Sequence, residues 1–254
     1  ISYAHAKNFK NIKQIAMAKS EIINNIDTNG TMVLNADDNF FNLHKKLAIK
    51  KKLKVLTFSV NKKSNVRLKN IKKEKNKFKI SIIINKKNKF FYVSSNFKNF
   101  INNLLATITI VSIFKDPFQL NKNTFYNMNF PKGRGDISKI RFKNKNINLV
   151  DESYNSNPLS LKSAIENFNL INTKNKKCII LGDMLELGKH SKSLHRKITP
   201  IINSTSIDKV HIFGSHIKET YRNITPSKKG FILKESSQII DLIKNELNNN
   251  DYLM

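Results

Sequence analysis

The sequence predicts an α/β protein of two domains, and three observations predict it. Apolar runs of strand length alternate with helical patterns through the second half, which implies βαβ units and a mostly parallel sheet. In the first half, 78–84 and 90–94 alternate like antiparallel strands around the turn Asn85–Asn88, so that sheet is mixed and carries helices. At 254 residues the chain is also long enough to bury two cores. The domains are read as 1–130 and 131–254, divided where the polar segment 116–129 leads to Pro131 and Gly133.

Taken in order, residues 9–26 read as a helix, because Ile12, Ile15, Ile22, Ile23 and Ile26 fall on one face at helical spacing. Short strands are expected at 31–34 and 55–60. The lysine- and asparagine-rich stretch 61–77 reads as exposed hairpin and loop, and 99–114 as a buried helix. In the second half, strands are predicted at 138–142, 146–151, 177–182, 208–213 and 229–233. Helices are predicted at 158–170, 191–203 and 236–248, with a weaker one at 216–222; Pro158 suits a first helical turn, where its missing N–H costs nothing. Residues 252–254 read as a strand just beginning.

Composition narrows the class. The formal net charge of +28 would suit nucleic acid. Only five of the 46 basic residues are arginine, however, and base readout and bidentate phosphate grip both favour arginine. Abundant Lys, Asn, Ile and Phe, few Gly and no Trp match the codon usage of an adenine- and thymine-rich genome, so no specific nucleic-acid partner is expected. No apolar run approaches the roughly 20 residues of a membrane span, and no signal peptide is visible. The lone Cys178 lies in an apolar run without a partner and reads as a buried, inert thiol of a cytoplasmic protein. The chain begins at Ile1 in what reads as mid-fold sequence, so a piece of a longer protein is expected.

The most informative stretch is Asp151-Glu152-Ser153-Tyr154-Asn155-Ser156-Asn157-Pro158. It crowds acidic and amide side chains at the end of a predicted strand, where open α/β sheets bind ligands. Asn, Asp and Ser also form turns, so local structure is an equal reading of that stretch taken alone. Gly133-Arg134-Gly135 offers a flexible backbone and one guanidinium suited to phosphate, or a turn between domains. Lys19 projects from the isoleucine stripe; it is either a snorkelling lysine or a desolvated amine of lowered pKa. His5 is a lone histidine that would need oxygen partners to hold a metal, and Asn35-Ala36-Asp37-Asp38 is a ligand set or a turn. No phosphate loop of the form Gly-x-x-x-x-Gly-Lys-[Ser/Thr] occurs, no dinucleotide fingerprint, no zinc spacing and no nucleophile elbow.

Taken together these segments resemble the Mur ligases, the ATP-dependent amide-forming enzymes of peptidoglycan synthesis. The resemblance runs through nearly the whole chain. It is carried by Asp151 to Pro158 and by Gly182-Asp183-Met184-x-Glu186-Leu187-Gly188-x-x-Ser191-x-x-x-His195, with Ala4-His5, Ala18-Lys19-x-Glu21-Ile22, Asn35-Ala36-Asp37 and Gly133-Arg134-Gly135 in support. It implies the back part of a central ATPase domain followed by a Rossmann-like C-terminal domain, with the UDP-sugar domain and the phosphate loop expected ahead of Ile1. The Gly-Asp-Met-x-Glu-Leu-Gly run points to the member that joins D-alanyl-D-alanine to UDP-N-acetylmuramoyl-tripeptide through an acyl phosphate. ATP and magnesium are the implied cofactors, and a monomer is expected. By the same resemblance Lys19 matches a lysine that is carbamylated to help hold magnesium, and His5 a magnesium-binding histidine. Asn103 matches an adenine contact, although Phe97-Lys98-Asn99-Phe100 stands where the family often has Gly-x-His-Asn. Arg134 matches an arginine near the nucleotide, and Glu152 an acid that binds the ribose hydroxyls, where Asp is commoner. Tyr154 and Asn155 extend the nucleotide site and, with Asn157, line the cleft between domains. Asp183, Glu186 and His195 belong to the C-terminal motif, as substrate contacts or as local structure. The 254-residue chain alone is expected to be inactive. The alternatives are a sister ligase of the Mur or folylpolyglutamate type, or a noncatalytic basic module that binds nucleic acid.

Overall fold

A computed structural model describes residues 1–75, 77–94, 100–128 and 132–254. Backbone contacts divide the chain into two units, Ile1 with Lys13–Asn129 and Ser2–Ile12 with Phe130–Met254. The boundary read at Pro131 lies outside the described residues, and Ser2–Ile12 groups with the second unit rather than the first.

The first unit is a mixed five-stranded sheet of order β1-β2-β3-β4-β5. Its first helix, α1 (Ile12–Ser20), is shorter than the 9–26 expected from the isoleucine spacing, and continues as a 3-10 turn over Glu21–Asn25. The Ser20 hydroxyl donates to the Met17 carbonyl at 2.6 Å, a local bond that competes with further helix. Strands β1 (Thr31–Asn35) and β2 (Lys54–Ser59) are parallel, joined by α2 (Phe41–Lys50). The sequence reading missed α2, whose apolar residues are diluted by lysines; it buries Ala48 against Ile23 and Leu53.

The stretch read as hairpin and loop is a strand, β3 (Val66–Glu74), antiparallel to β4 (Lys77–Ile84). Its outward residues are polar along nearly their whole length, so no alternation marked it. Asn85 and Lys86, both at positive φ (45° and 74°), make the two-residue turn to β5 (Lys87–Val93), a backbone that matches strand twist. One face of this hairpin buries Ile80, Ile82, Ile84, Phe91 and Val93. Helix α3 (Ile101–Phe114) lies over β1, β2 and β3 and buries Leu104, Leu105 and Ile108. Asn99, read as its first residue, lies outside the described residues.

The second unit is a six-stranded sheet of order β10-β9-β8-β11-β7-β6. Only β6 (Asp136–Phe142) runs antiparallel, against β7 (Lys145–Asp151). The chain then passes through α4 (Pro158–Asn169), β8 (Lys177–Gly182), α5 (Ser191–Arg196), α6 (Thr199–Asn203), β9 (Lys209–Phe213), α7 (Lys218–Tyr221), β10 (Lys229–Leu233), α8 (Gln238–Glu246) and β11 (Tyr252–Leu253). The helix expected over 191–203 is two, because Pro200 has no N–H to donate to Arg196. Successive strand residues feed opposite faces. Ile179, Leu181, Val210 and Ile212 join Phe168, Leu194 and Ile198 in one core, while Cys178 and Leu253 join Leu233, Leu242 and Leu247 in the other. Burial pushes the Cys178 thiol up to about 12, so it is inert at neutral pH.

Candidate nucleotide and ligand site

From β7 the chain crosses through α4 to β8, leaving a gap that β11 fills by pairing in parallel with both. From β8 the chain keeps the same direction through β9 to β10, and α8 then carries it back across the sheet to β11. The strand order reverses at β11, and open α/β sheets take ligands at the carboxyl ends of strands where it does so. A pocket of about 550 Å³ lies at that place, with Leu149, Ile180 and Leu253 at its apolar base and Glu152, Asn155 and Asp183 among its polar walls.

The polar stretch after β7 is shaped by its own short side chains. Asp151 Oδ1 accepts from the Ser153 N–H (3.0 Å) and hydroxyl (2.6 Å), which turns the chain away from the sheet. Asn157 Oδ1 accepts from the N–H groups of Leu159 (3.0 Å) and Ser160 (3.2 Å). The Asn157 N–H in turn donates to the Ser160 hydroxyl, completing a capping box with Pro158 in the first turn of α4. Asn157 was expected to line a cleft; its side-chain oxygen is instead committed to the helix cap, and Asn155 and Ser156 line the pocket.

The turn Gly133–Gly135 lies against this stretch. The Gly135 N–H donates to Asp151 O (2.7 Å) and the Tyr154 N–H to Gly133 O (3.2 Å). Gly135 has φ +84°, a left-handed backbone that favours glycine, and Glu152 Oε1 lies 2.9 Å from where a Cβ would sit, so a side chain there would displace Glu152. The Arg134 guanidinium carbon stands 4.5 Å from the Tyr154 ring centroid. Arg134, Glu152 and Tyr154 are thereby brought together. Burial, with the charges of Asp151 and Asp136, raises the Glu152 carboxyl above the ordinary carboxylate range.

The Gly182–Gly188 run has a different employment. Asp183 accepts from the N–H groups of Ile217 (2.7 Å) and Ser215 (3.0 Å), fixing the loop between β9 and α7. Burial pushes its pKa up, but hydrogen bonds from the Ile217, His216 and Ser215 backbone outweigh that and hold it below the ordinary range. His195 is fully buried. Its Nδ1–H donates to Ser191 O (2.8 Å) and its Nε2 accepts from the Met184 N–H (3.1 Å). Desolvation lowers its pKa and keeps it neutral. The reading of His195 as a possible substrate contact is therefore corrected: both ring nitrogens are spent on the fold. Glu186 pairs with His5 Nδ1, both side chains mostly exposed and both backbones left-handed (φ 59° and 54°). Gly188 lets the segment 2–12 approach closely, since a Cβ there would lie 2.8 Å from Lys7 O.

In the first unit, Lys19 is exposed, so the desolvated-amine reading fails for it: α1 turns Ile15 and Ala16 inward and Lys19 out. Asn103 is exposed in the first turn of α3. Asp37 accepts from the Ser59 hydroxyl (2.9 Å) and the Val60 N–H (2.6 Å), tying β1 to the end of β2 as a turn anchor. Among the described residues no three His, Cys, Asp or Glu side chains converge to hold a metal ion, so the side chains present do not form a magnesium cage by themselves. Among them, too, no helix is long and apolar enough to cross a membrane. Sequence reasoning missed the apolar wall of the pocket, Ile239 and Leu253, which come from α8 and β11 far along the chain and carry no motif.

Sheet order, with helices on both faces, places the second unit among the doubly wound α/β domains. Two family models cover most of the chain, the Mur ligase middle domain over residues 1–111 and the Mur ligase, glutamate ligase domain over 138–254. The chain belongs to the Mur ligase family. It is 31% identical over 233 residues to a UDP-N-acetylmuramoyl-tripeptide–D-alanyl-D-alanine ligase of Rickettsia prowazekii, covering 90% of this chain and 50% of that protein. It is 30% identical over 253 residues to the ligase of the same name from Buchnera aphidicola, covering 98% and 52%. The chain thus spans about half the length of the relatives it matches. Its fold matches crystal structures of MurF from Acinetobacter baumannii (TM-score 0.79, 18% identity, 100% of this chain and 54% of that one) and of MurF from Thermotoga maritima in complex with ADP (TM-score 0.77, 20% identity, 100% and 56%).

Proposed function

We propose that the protein is an ATP-dependent, ADP-forming ligase that joins D-alanyl-D-alanine to UDP-N-acetylmuramoyl-tripeptide, acting in the cytoplasm as a monomer. The observation that carries this reading is the switch-point pocket, with Glu152, Arg134 and Tyr154 gathered at one strand end. The two relatives named for this reaction support it. In the reaction a substrate carboxylate takes the terminal phosphoryl group of ATP; the amine of D-alanyl-D-alanine then displaces phosphate and the amide forms. Glu152 accepts hydrogen bonds from the ribose hydroxyls, and Arg134, steadied over Tyr154, supplies a guanidinium to the nucleotide. Asn155 extends that site, Asn103 meets the adenine, and Glu186 and His5 stand at the edge of the C-terminal motif. Magnesium, if used, is held chiefly by nucleotide phosphates and water, as this ion prefers. The carbamate of Lys19 rests on the resemblance alone.

Phosphate release by the full-length protein, with ATP and the tripeptide, should require D-alanyl-D-alanine. An equal response to meso-diaminopimelate or glutamate would instead indicate a sister ligase. Calorimetry should find ATP binding weakened about tenfold in Glu152→Gln, the loss of one hydrogen bond to a charged acceptor. Unchanged affinity would remove Glu152 from the site. Lys19→Ala should lose activity and regain it with short carboxylic acids; undiminished activity would refute the carbamate.

A further inference from the structure

The hairpin sheet of the first unit has a second face that the ligase reading does not use. Of the 46 basic residues, 12 lie between Lys62 and Lys89, where Glu74 is the one acid. The strand register sorts them. Opposite Arg67 stands Ile83, opposite Lys72 stands Lys79, and opposite Lys79 on the other side stands Tyr92, while Ser81 stands opposite Phe90. All of these point away from the buried face of Ile80, Ile82, Ile84, Phe91 and Val93, because side chains alternate along a strand and the register shift between Leu68 and Asn70 brings Lys72 to the same side as Arg67. Lys69 joins them, its ammonium donating to Asn88 Oδ1 at 3.1 Å. At the edges the exposed Lys62, Lys63, Lys75, Lys86 and Lys87 add charge. Glu74 is engaged by a hydrogen bond from the Tyr92 hydroxyl.

The aromatic rings on this face are already capped. Lys77 Nζ lies 3.6 Å from the Tyr92 centroid and Lys79 Nζ 4.3 Å from that of Phe90. Single-stranded nucleic acid is gripped by bases stacking on open rings, and these rings present ammonium groups instead. A shallow, lysine-rich face with aromatic groups beneath is what an anionic lipid surface attracts, since it needs charge near a plane and no bidentate geometry. We propose that the open face of β3, β4 and β5 docks on anionic lipid headgroups, holding the protein at a membrane surface without insertion.

The test uses flotation with vesicles of phosphatidylcholine alone and of phosphatidylcholine with about one third phosphatidylglycerol. The protein should float with the anionic vesicles only, and less as salt rises. At about fivefold per lysine, Lys72→Gln, Lys77→Gln and Lys79→Gln together should weaken binding about 100-fold. The same three sites changed to arginine should retain it. Three exposed lysines of the second unit, Lys139, Lys192 and Lys234, changed to glutamine serve as a control of equal charge and should cost only a few-fold. Equal losses in the two glutamine triples would reduce the effect to net charge and overturn the proposal. So would the absence of binding to anionic vesicles, or displacement from them by a single-stranded oligonucleotide at lower concentration than by free lipid headgroup, which would make this face a nucleic-acid surface. Ligase activity in solution is independent of every one of these outcomes.

Discussion

Replacing Asp183 with alanine separates a role in the fold from a role in substrate binding. The carboxylate accepts backbone N–H groups at 2.7 and 3.0 Å and the Ser215 hydroxyl at 3.4 Å, and Gly214 is shaped around it, since a Cβ there would lie 2.5 Å from Asp183 Oδ1. Hydrogen bonds to a charged acceptor contribute about 1.5–3 kcal/mol each, and with water able to replace part of this at a half-buried site, the loss is about 2–3 kcal/mol. Asp183→Asn, which keeps one acceptor oxygen, should lose about half as much. Because the folded carboxyl titrates below its unfolded value, its contribution is complete above about pH 4 and is lost as pH falls through the folded pKa. The variant and the parent should therefore converge in acid. Urea unfolding of the second unit, followed by amide exchange in β8 and β9 at neutral pH and near pH 3, measures both quantities. A neutral-pH loss below about 0.5 kcal/mol, or a difference that does not shrink in acid, would show that Asp183 is not a structural anchor.

Two further outcomes are expected. His211 is fully buried in β9, accepts the Phe231 N–H at Nδ1 (3.0 Å), and among the described residues its Nε2 finds no partner. Burial drives its pKa down to about 4, so stability is complete above the unfolded value near 6.5 and falls by about 3 kcal/mol as pH drops from there to about 4. His211→Gln, which does not titrate, should flatten that part of the urea-midpoint profile, and an unchanged profile would refute the assignment. Asn157→Ala should cost about 1 kcal/mol through loss of the α4 cap while leaving ATP affinity within a factor of about two; calorimetry showing a tenfold loss would return Asn157 to the binding site.

The parallel half of the fold was readable because its strands are short apolar runs, buried in 177–182 and on the open sheet edge in 229–233, and both were read at the limits the structure shows. What escaped was whatever burial does not mark in sequence. Strand β3 keeps one face in the open and reads as loop, and α2 hides its apolar residues among lysines. The helix over 9–26 was overextended because isoleucine spacing persists through a 3-10 turn that a serine hydroxyl helps to start. At the site, the polar strand-end stretch and the glycine turn stood out in the sequence, and the two pack against each other. The division of labour at the site was not legible, since Asn157, Asp183 and His195 have the chemistry of binding residues and are spent on capping and tying loops. That distinction depends on hydrogen-bond partners such as Ser191, Ile217 and Leu159, which no spacing rule connects to them.

The central place of β11 governs how the second unit can be made. Tyr252 pairs with Asn148 on one side and Lys177 on the other, so the strand that completes the middle of the sheet is translated after all its neighbours. Until it leaves the ribosome, β7 and β8 have facing edges with unsatisfied backbone groups, the sort of edges that recruit strands from other chains. Closure then joins segments far apart in sequence, which makes it a slow step. The ligand pocket, floored in part by Leu253, comes into being in that same step. Nascent chains of this protein should therefore depend on chaperones until β11 has emerged, and a bound ligand should speed the passage to the native sheet by capturing it as it forms.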